Sequence, residues 1–222
     1  MSRPVAGLDG RRGGWAAAVL RADGTVEHLA LATVAEALAL DVAAVGVDMP
    51  VGLPVRGRRA CDLEAKRVLG AAHARVFLTP PRAVLDLGPD AGHPAASALH
   101  RTLVDGKGLS RQSWHLLPKV AEVDDLADDP RLVEVHPELS FAALAGAPLL
   151  IKRTVTGRAA RLAALATALP CLDAAAVPAG DDAVDAVVVA WSARRWLAGE
   201  ARTLPGGPPP YDGRGRPMRI VV

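Results

Sequence analysis

The sequence predicts an α/β protein. Its mixed central sheet follows the order β-β-β-α-β-α-β-α, with flanking helices and a helical insertion between the fourth and fifth strands. Three observations predict this. The first 31 residues hold three short apolar runs parted by glycine-bearing turns, the pattern of a strand meander. The run Val45-Gly-Val47 is a buried strand too brief to be a helix, and it stops at Asp48. The stretch opened by Gly180-Asp-Asp182 runs on as an apolar body to Trp191, as a buried helix does.

The elements follow in order. The first apolar run, residues 4–8, ends at Asp9-Gly10, and the turn Arg11-Arg12-Gly13-Gly14 leads into a second strand over 15–20. Ala22-Asp23-Gly24 turns the chain into the third, 26–31, and residues 34–40 have helical spacing. After Asp48, the residues Pro50, Gly52 and Pro54 forbid a regular continuation. From about 55 to 130 strand signals are few: helices are predicted over 61–70, 94–104 and 110–126, and Phe77-Leu-Thr-Pro-Pro-Arg82 is a rigid loop. This segment reads as an insertion over one sheet edge within a single domain spanning 1–222. Strand patterning returns over 131–136 and Pro137 ends it; 158–169 is an amphipathic helix. A tail at about 205–217, rich in Pro, Gly and Arg, precedes a last edge strand at 218–222.

Composition bounds the function. Half of the 222 residues are apolar, enough for a substantial core, and the net charge of +2 gives no global pointer to nucleic acid. Cys61 and Cys171 lie far apart, without a Cys-x-x-Cys pair or zinc-ligand spacing, so free thiols in a reducing compartment are expected. No run approaches about 18 uninterrupted apolar residues, and the amino terminus lacks a signal-like apolar run. A soluble, cytoplasmic protein with no membrane partner is the expectation.

The acids carry the chemistry. Asp9 ends the first strand, Asp48 the fourth, Glu134 lies in the fifth, and Asp182 and Asp185 share a face at the start of the last long helix. Asp181 and Asp182 have an ordinary role open to them, satisfying free N–H groups at a helix start. Asp48 in turn could cap its own Met-Pro-Val-Gly turn. Asp185 sits one turn in, among Ala186, Val187, Val188 and Val189, where an unpaired charge is costly. A cation shared with Asp9 and Asp48 would be its partner. If strands one and four are parallel neighbours at a switch point, Asp9 and Asp48 stand about 4.8 Å apart. Hard oxygens at that spacing suit Mg²⁺ or Mn²⁺, and two such ions about 3.5–4 Å apart would drive phosphodiester hydrolysis.

The order β-β-β-α-β, with acids on strands one and four and Asp181-Asp-x-x-Asp185 on a late helix, resembles the RNase H-like (RuvC-like) fold. More closely, the chain resembles a bacterial and archaeal family described as predicted RNase H-like nucleases. The motifs are Gly7-Leu-Asp-Gly10 with Gly14-Trp15, Val47-Asp-Met-Pro-Val-Gly-Leu-Pro54, Cys61-Asp62, Val76-Phe-Leu-Thr-Pro-Pro-Arg82, Gly108-Leu-Ser-x-Gln112, Pro118-Lys-Val-x-Glu-Val-Asp124 and Glu134-Val-His-Pro-Glu138. The resemblance implies an RNase H-like fold and a metal-dependent nuclease site. Asp9, Asp48, Glu134 and Asp185 are then the expected catalytic acids, and Asp9, Asp48, Asp182 and Asp185 the expected ligands of Mg²⁺ or Mn²⁺.

Around them, Arg82, Lys119, His136, Glu138 and Lys152 are the expected substrate-binding residues. Glu134, His136 and Glu138 are spaced by two, so a strand running on would put all three on one face. Glu138 could instead cap a following helix, and His136 could be a core imidazole. Lys119 with Glu122, and Lys152 with Arg161, could meet phosphate oxygens or form ion pairs. Arg56, Arg58 and Arg59 follow the Asp48 loop closely enough to grip a phosphate backbone. The expected partner is nucleic acid, with homo-oligomerisation left open. Two other functions compete. An actin-like nucleotide phosphotransferase needs two such lobes, and this chain supplies one. A non-catalytic binding scaffold would have no reason to keep clustered charges.

Overall fold

The computed structural model describes residues 3–222. The chain packs as two compact units, one made of the chain up to Met49, Asp129–Arg202 and Val221–Val222, the other of Pro50–Asp128 and Thr203–Ile220.

The first unit is built on a mixed five-stranded sheet of order β3-β2-β1-β4-β5. Strands β1 (Val5–Arg11), β2 (Gly14–Leu20) and β3 (Val26–Leu31) form the antiparallel meander that the Gly-rich turns predict. Thr33 then caps α1 (Val34–Leu38) by accepting from the Glu36 N–H, while the Glu36 carboxylate accepts from Ala32 N–H. Strands β4 (Val45–Val47) and β5 (Leu132–Glu134) add in parallel, β4 beside β1. Helices α6 (Pro137–Ala145), α7 (Val155–Ala168) and α8 (Asp181–Leu197) complete the unit.

Helix α8 lies across β1, β2 and β4, and every residue from Ala183 to Ala193 is buried. Two glycines set how near it comes. A Cβ on Gly7 would stand 2.2 Å from Ala190 N and 2.3 Å from Ala186 O, and one on Gly46 would stand 2.8 Å from a Val189 methyl. Only strands bare at those positions admit the helix backbone. Acids Asp181 and Asp182 in its first turn and Arg194 and Arg195 in its last match its dipole.

One sequence expectation is corrected here. Strand β5 stops at Glu134, so Glu134, His136 and Glu138 do not line one strand face. Pro137 takes the first helical position of α6, where its missing N–H costs nothing. His136 becomes the N-cap residue, and Glu138 lies in the first turn. Beyond the strand, Val135 bridges in parallel to Val221.

The second unit holds helices α2 (Ala60–Leu69), α3 (Arg82–Asp86), α4 (Gly92–Leu103) and α5 (Arg111–Leu126), with two-residue strand β6 (Thr203–Leu204). The last short strand, β7 (Ile220–Val221), closes the chain. Two buried ion-pair systems organise this unit. Arg59 holds Asp62 at 2.5 Å, both side chains 1% exposed, and the Asp62 carboxylate accepts from Thr79 N–H at 2.9 Å. Losing one partner of such a pair strands a buried charge, at about 3–5 kcal/mol. The tail wraps around Asp212, whose carboxylate accepts from the N–H groups of Arg214, Arg216 and Leu53. Among the described residues no helix is long and apolar enough to cross a membrane.

Candidate metal centre

The sheet places the acids. Register Leu8↔Val47 in the parallel pair, extended by Asp48 N–H donating to Leu8 O at 3.0 Å, sets Asp9 and Asp48 side by side. Strand alternation puts them on the face of Gly7 and Gly46, which is the face α8 covers. Two residues of strand advance about 6.6 Å, or a little over one helical turn. Stepping from Gly7 to Asp9 therefore moves from the Ala186–Ala190 level of α8 down to Asp182 and Asp185.

Electrostatics records this meeting. Burial, followed by repulsion from Asp48 and Asp185 and a further push from Asp182, holds the Asp9 carboxyl well above the usual carboxylate range. Asp9 is 6% exposed and Asp185 1%. Asp48 is raised to about 7, first by burial and then by Asp185, with a smaller push from Glu134. Asp9 hydrogen-bonds Asp48 and Lys152 lies near, and both oppose that rise. Two carboxyl groups can share a hydrogen bond only if one keeps its proton. Burial also raises Asp185, against the pull of Lys152.

Lys152 is the cation that the sequence left without a definite partner. Its ammonium donates to Asp185 Oδ2 at 2.5 Å, and its side chain is 34% exposed against 1% for Asp185. Although burial works against its charge, Asp185, Asp9 and Asp48 raise Lys152 above its usual range. The other oxygen, Asp185 Oδ1, is buried with no hydrogen-bond partner. Nearby, Arg161 pairs with Glu138 at 2.6 Å, donates to Leu150 O and Gly157 O, and lies 5.2 Å over the Phe141 ring.

The predicted residues therefore divide. Asp9, Asp48 and Asp185 come together, with Asp182, Lys152 and Glu138 close enough to act on them electrostatically. Glu134 acts on Asp48, but alternation turns Val133 toward the α8 core and Glu134 the other way. Arg82 and Lys119 belong to the second unit. Arg82 is held there by both oxygens of Asp124, at 2.7 and 2.8 Å, and by Asp212 at 3.3 Å. Arg161, for which phosphate contact and an ion pair were both open, forms an ion pair, and Arg59, expected near a phosphate backbone, is internal; each is buried against its own carboxylate. The Lys152–Asp185 contact, across 33 positions, had no sequence signal beyond the buried acid's need for a partner.

The fit to a divalent ion has two sides. The donors are hard oxygens, Asp9 and Asp185 are buried and Asp48 half-buried, and Asp185 Oδ1 has no hydrogen-bond partner among the described residues, all of which suits Mg²⁺ or Mn²⁺. Among the described residues, however, no three His, Cys, Asp or Glu side chains are grouped as a metal site requires. The donor chemistry suits a divalent ion and the grouping does not, and Lys152 supplies positive charge to the cluster.

A pH dependence follows. Asp48 binds its proton up to about pH 7 when folded and only to about 4 when unfolded. Its contribution to stability is then complete below pH 4 and is lost as the pH rises toward 7, because there the folded state holds the extra proton. In chelator, the stability of wild type minus that of Asp48→Asn should fall between about pH 4 and 7 and level off above. Denaturant melts of both proteins at several pH values check this; a flat difference would mean that Asp48 is not strained.

The model of one family, described as Protein of unknown function (DUF429), matches residues 7–209. No curated protein and no solved structure matches the chain.

Proposed function

Since the chain belongs to that family, and membership assigns no activity, we propose from the chemistry of the site that it is a metal-dependent nuclease of RNase H-like architecture. The strand order β3-β2-β1-β4-β5, with acids at the ends of its two central parallel strands, supports the fold reading. One observation carries the activity: Asp185 Oδ1, buried and without a partner, beside Asp9 and Asp48 whose protons are held against their usual acidity. A structural network would satisfy that oxygen, whereas a ligand site keeps it for an ion.

The roles of the residues follow. Asp9, Asp48 and Asp185 would hold the ion, with Asp182 at the rim. A bound Mg²⁺ or Mn²⁺ supplies a Lewis acid and an activated water for phosphodiester hydrolysis. Asp9 and Asp48 surrender their shared proton when the site is occupied, since ligand carboxylates must be ionised. Lys152, partly exposed, is the group positioned to meet a phosphate oxygen of nucleic acid. Glu138 and Arg161 position the wall behind Asp185.

A second reading has its own support. The 2.5 Å Lys152–Asp185 pair and the lack of a three-ligand group among the described residues favour a non-catalytic scaffold whose acids are neutralised by protons and by Lys152. Melting in EDTA and in Mn²⁺ separates the two. A nuclease site predicts that Mn²⁺ raises the wild-type Tm, since only the folded state binds it. Asp9→Asn should erase that gain and, by removing repulsion, leave metal-free stability equal or higher by roughly 0.5–2 kcal/mol. No Mn²⁺ effect on the wild type, with Asp9→Asn destabilising in EDTA, would leave the scaffold.

A further inference from the structure

Several motifs of the sequence have no part in the carboxylate cluster, and three of them meet elsewhere. Cys61-Asp62, the loop Val76-Phe-Leu-Thr-Pro-Pro-Arg82 and Gly108-Leu-Ser-x-Gln112 all lie in the second unit. The loop and the Gly108 segment line a cavity of about 350 Å³ wholly within that unit, and Asp62 anchors the loop through Thr79 N–H.

The charge of this cavity is one-sided. Arg58, Lys66 and Lys107 line it, and no Asp or Glu does. Lys66 donates to a carbonyl, His73 O. None of the three cations has a carboxylate partner among the described residues. Elsewhere in the unit Arg59, Arg82, Arg214 and Arg216 each have one. Two polar atoms there are buried with no hydrogen-bond partner, Arg58 Nε and Thr79 Oγ1, and Thr79 is 2% exposed. Buried polar atoms are rarely left so, and two on one cavity ask for a ligand.

Other features narrow the ligand. Ser110 caps α5, a helix of 16 residues, by accepting from Ser113 N–H, and both serines line the cavity, so the positive end of that helix adds to its potential. Three cations are better matched by a dianion than by a carboxylate, and an arginine fork suits phosphate oxygens. The volume lies in the range of small organic ligands and exceeds what bare phosphate needs. Phe77 and Leu109 give it an apolar wall.

We propose that this cavity is a binding site for a phosphomonoester, its phosphate held by Arg58, Lys66 and the Thr79 hydroxyl and its organic part set against Phe77 and Leu109. Such a group is borne by a free nucleotide or by the phosphorylated end of a nucleic-acid strand. The site does not depend on the nuclease reading.

Calorimetric titration of the full chain in EDTA tests it. The probes are inorganic phosphate, adenosine 5′-monophosphate, adenosine, and one oligonucleotide with and without a 5′-phosphate. A phosphomonoester should saturate with Kd below about 1 mM, and its unphosphorylated counterpart should bind at least about tenfold more weakly. Tighter binding of the mononucleotide identifies a free nucleotide, and tighter binding of the phosphorylated oligonucleotide identifies a strand end. Arg58→Gln and Lys66→Gln should each weaken binding about tenfold or more, and Thr79→Val severalfold, with melting temperatures unchanged, while Asp48→Asn binds as wild type. Lys107→Gln, at an exposed position, gives a variant whose folding is not in question and should also weaken binding. The proposal is overturned if no phosphate probe saturates by about 10 mM, if phosphorylated and unphosphorylated probes bind equally, if all four cavity variants bind as wild type, or if Asp48→Asn abolishes binding.

Discussion

Gly7→Ala is expected to cost at least about 3 kcal/mol, the upper part of the range for overpacking a core, and to lower Tm by roughly 6–12 °C for a chain of this size. The added methyl would lie 2.2 Å from Ala190 N, 2.3 Å from Ala186 O and 2.8 Å from Ala190 Cα. These are backbone atoms of a helix buried on all sides, so no side chain can swing away to make room. Either α8 lifts off the sheet, opening the core of the first unit, or β1 is pushed out of register with β4. Gly207→Ala, which meets nothing within 4 Å, is the control and should melt as wild type. Equal melting of the two variants would mean that α8 does not lie on β1 as described.

If the proposed nuclease reading holds, Asp48→Asn should lower metal-dependent cleavage of nucleic acid by roughly 10²–10³-fold or more, the scale of losing one preorganised electrostatic group at a reacting centre. Asparagine keeps the shape of the side chain and cannot ionise, so a fold role would survive the change and an ion-holding role would not. The assay is cleavage of single-stranded, duplex and branched DNA and RNA in Mn²⁺ and in Mg²⁺, with wild type and variant melted in parallel. Full activity in the variant would remove Asp48 from the site, and inactivity of well-folded wild type on every substrate would return the scaffold reading.

What could be read from the chain was local. Gly13-Gly14 and Asp23-Gly24 announce the meander because hairpin turns need glycine's backbone freedom, and β3 and β4 start and end where their apolar runs do. The parallel pairing of β1 with β4 entered the sequence reading only as a condition, which the structure meets. Pro137 stops the strand and is equally the first residue of a helix, so the alternative of a helix beginning beside Glu138 is the one the fold adopts. Contacts between distant residues left no trace of their own. Nothing near Arg82 reveals that Asp124 and Asp212, 42 and 130 positions away, neutralise it. Nor does the composition of the tail reveal that it folds around Asp212. Such pairs are set by three-dimensional packing, and a single sequence records only that each charge needs some partner.

The unbroken burial of α8 from Ala183 to Ala193 has a consequence for how the acids communicate with solvent. Where the helix is seated so closely on Gly7 and Gly46, over residues 186–190, local opening is expected to be costly, and its amide hydrogens there should be among the slowest to exchange with water. The groups that join Asp185 to solvent are therefore side chains, the partly exposed Lys152 ammonium and the half-buried Asp48, set on a backbone held at the centre of the fold.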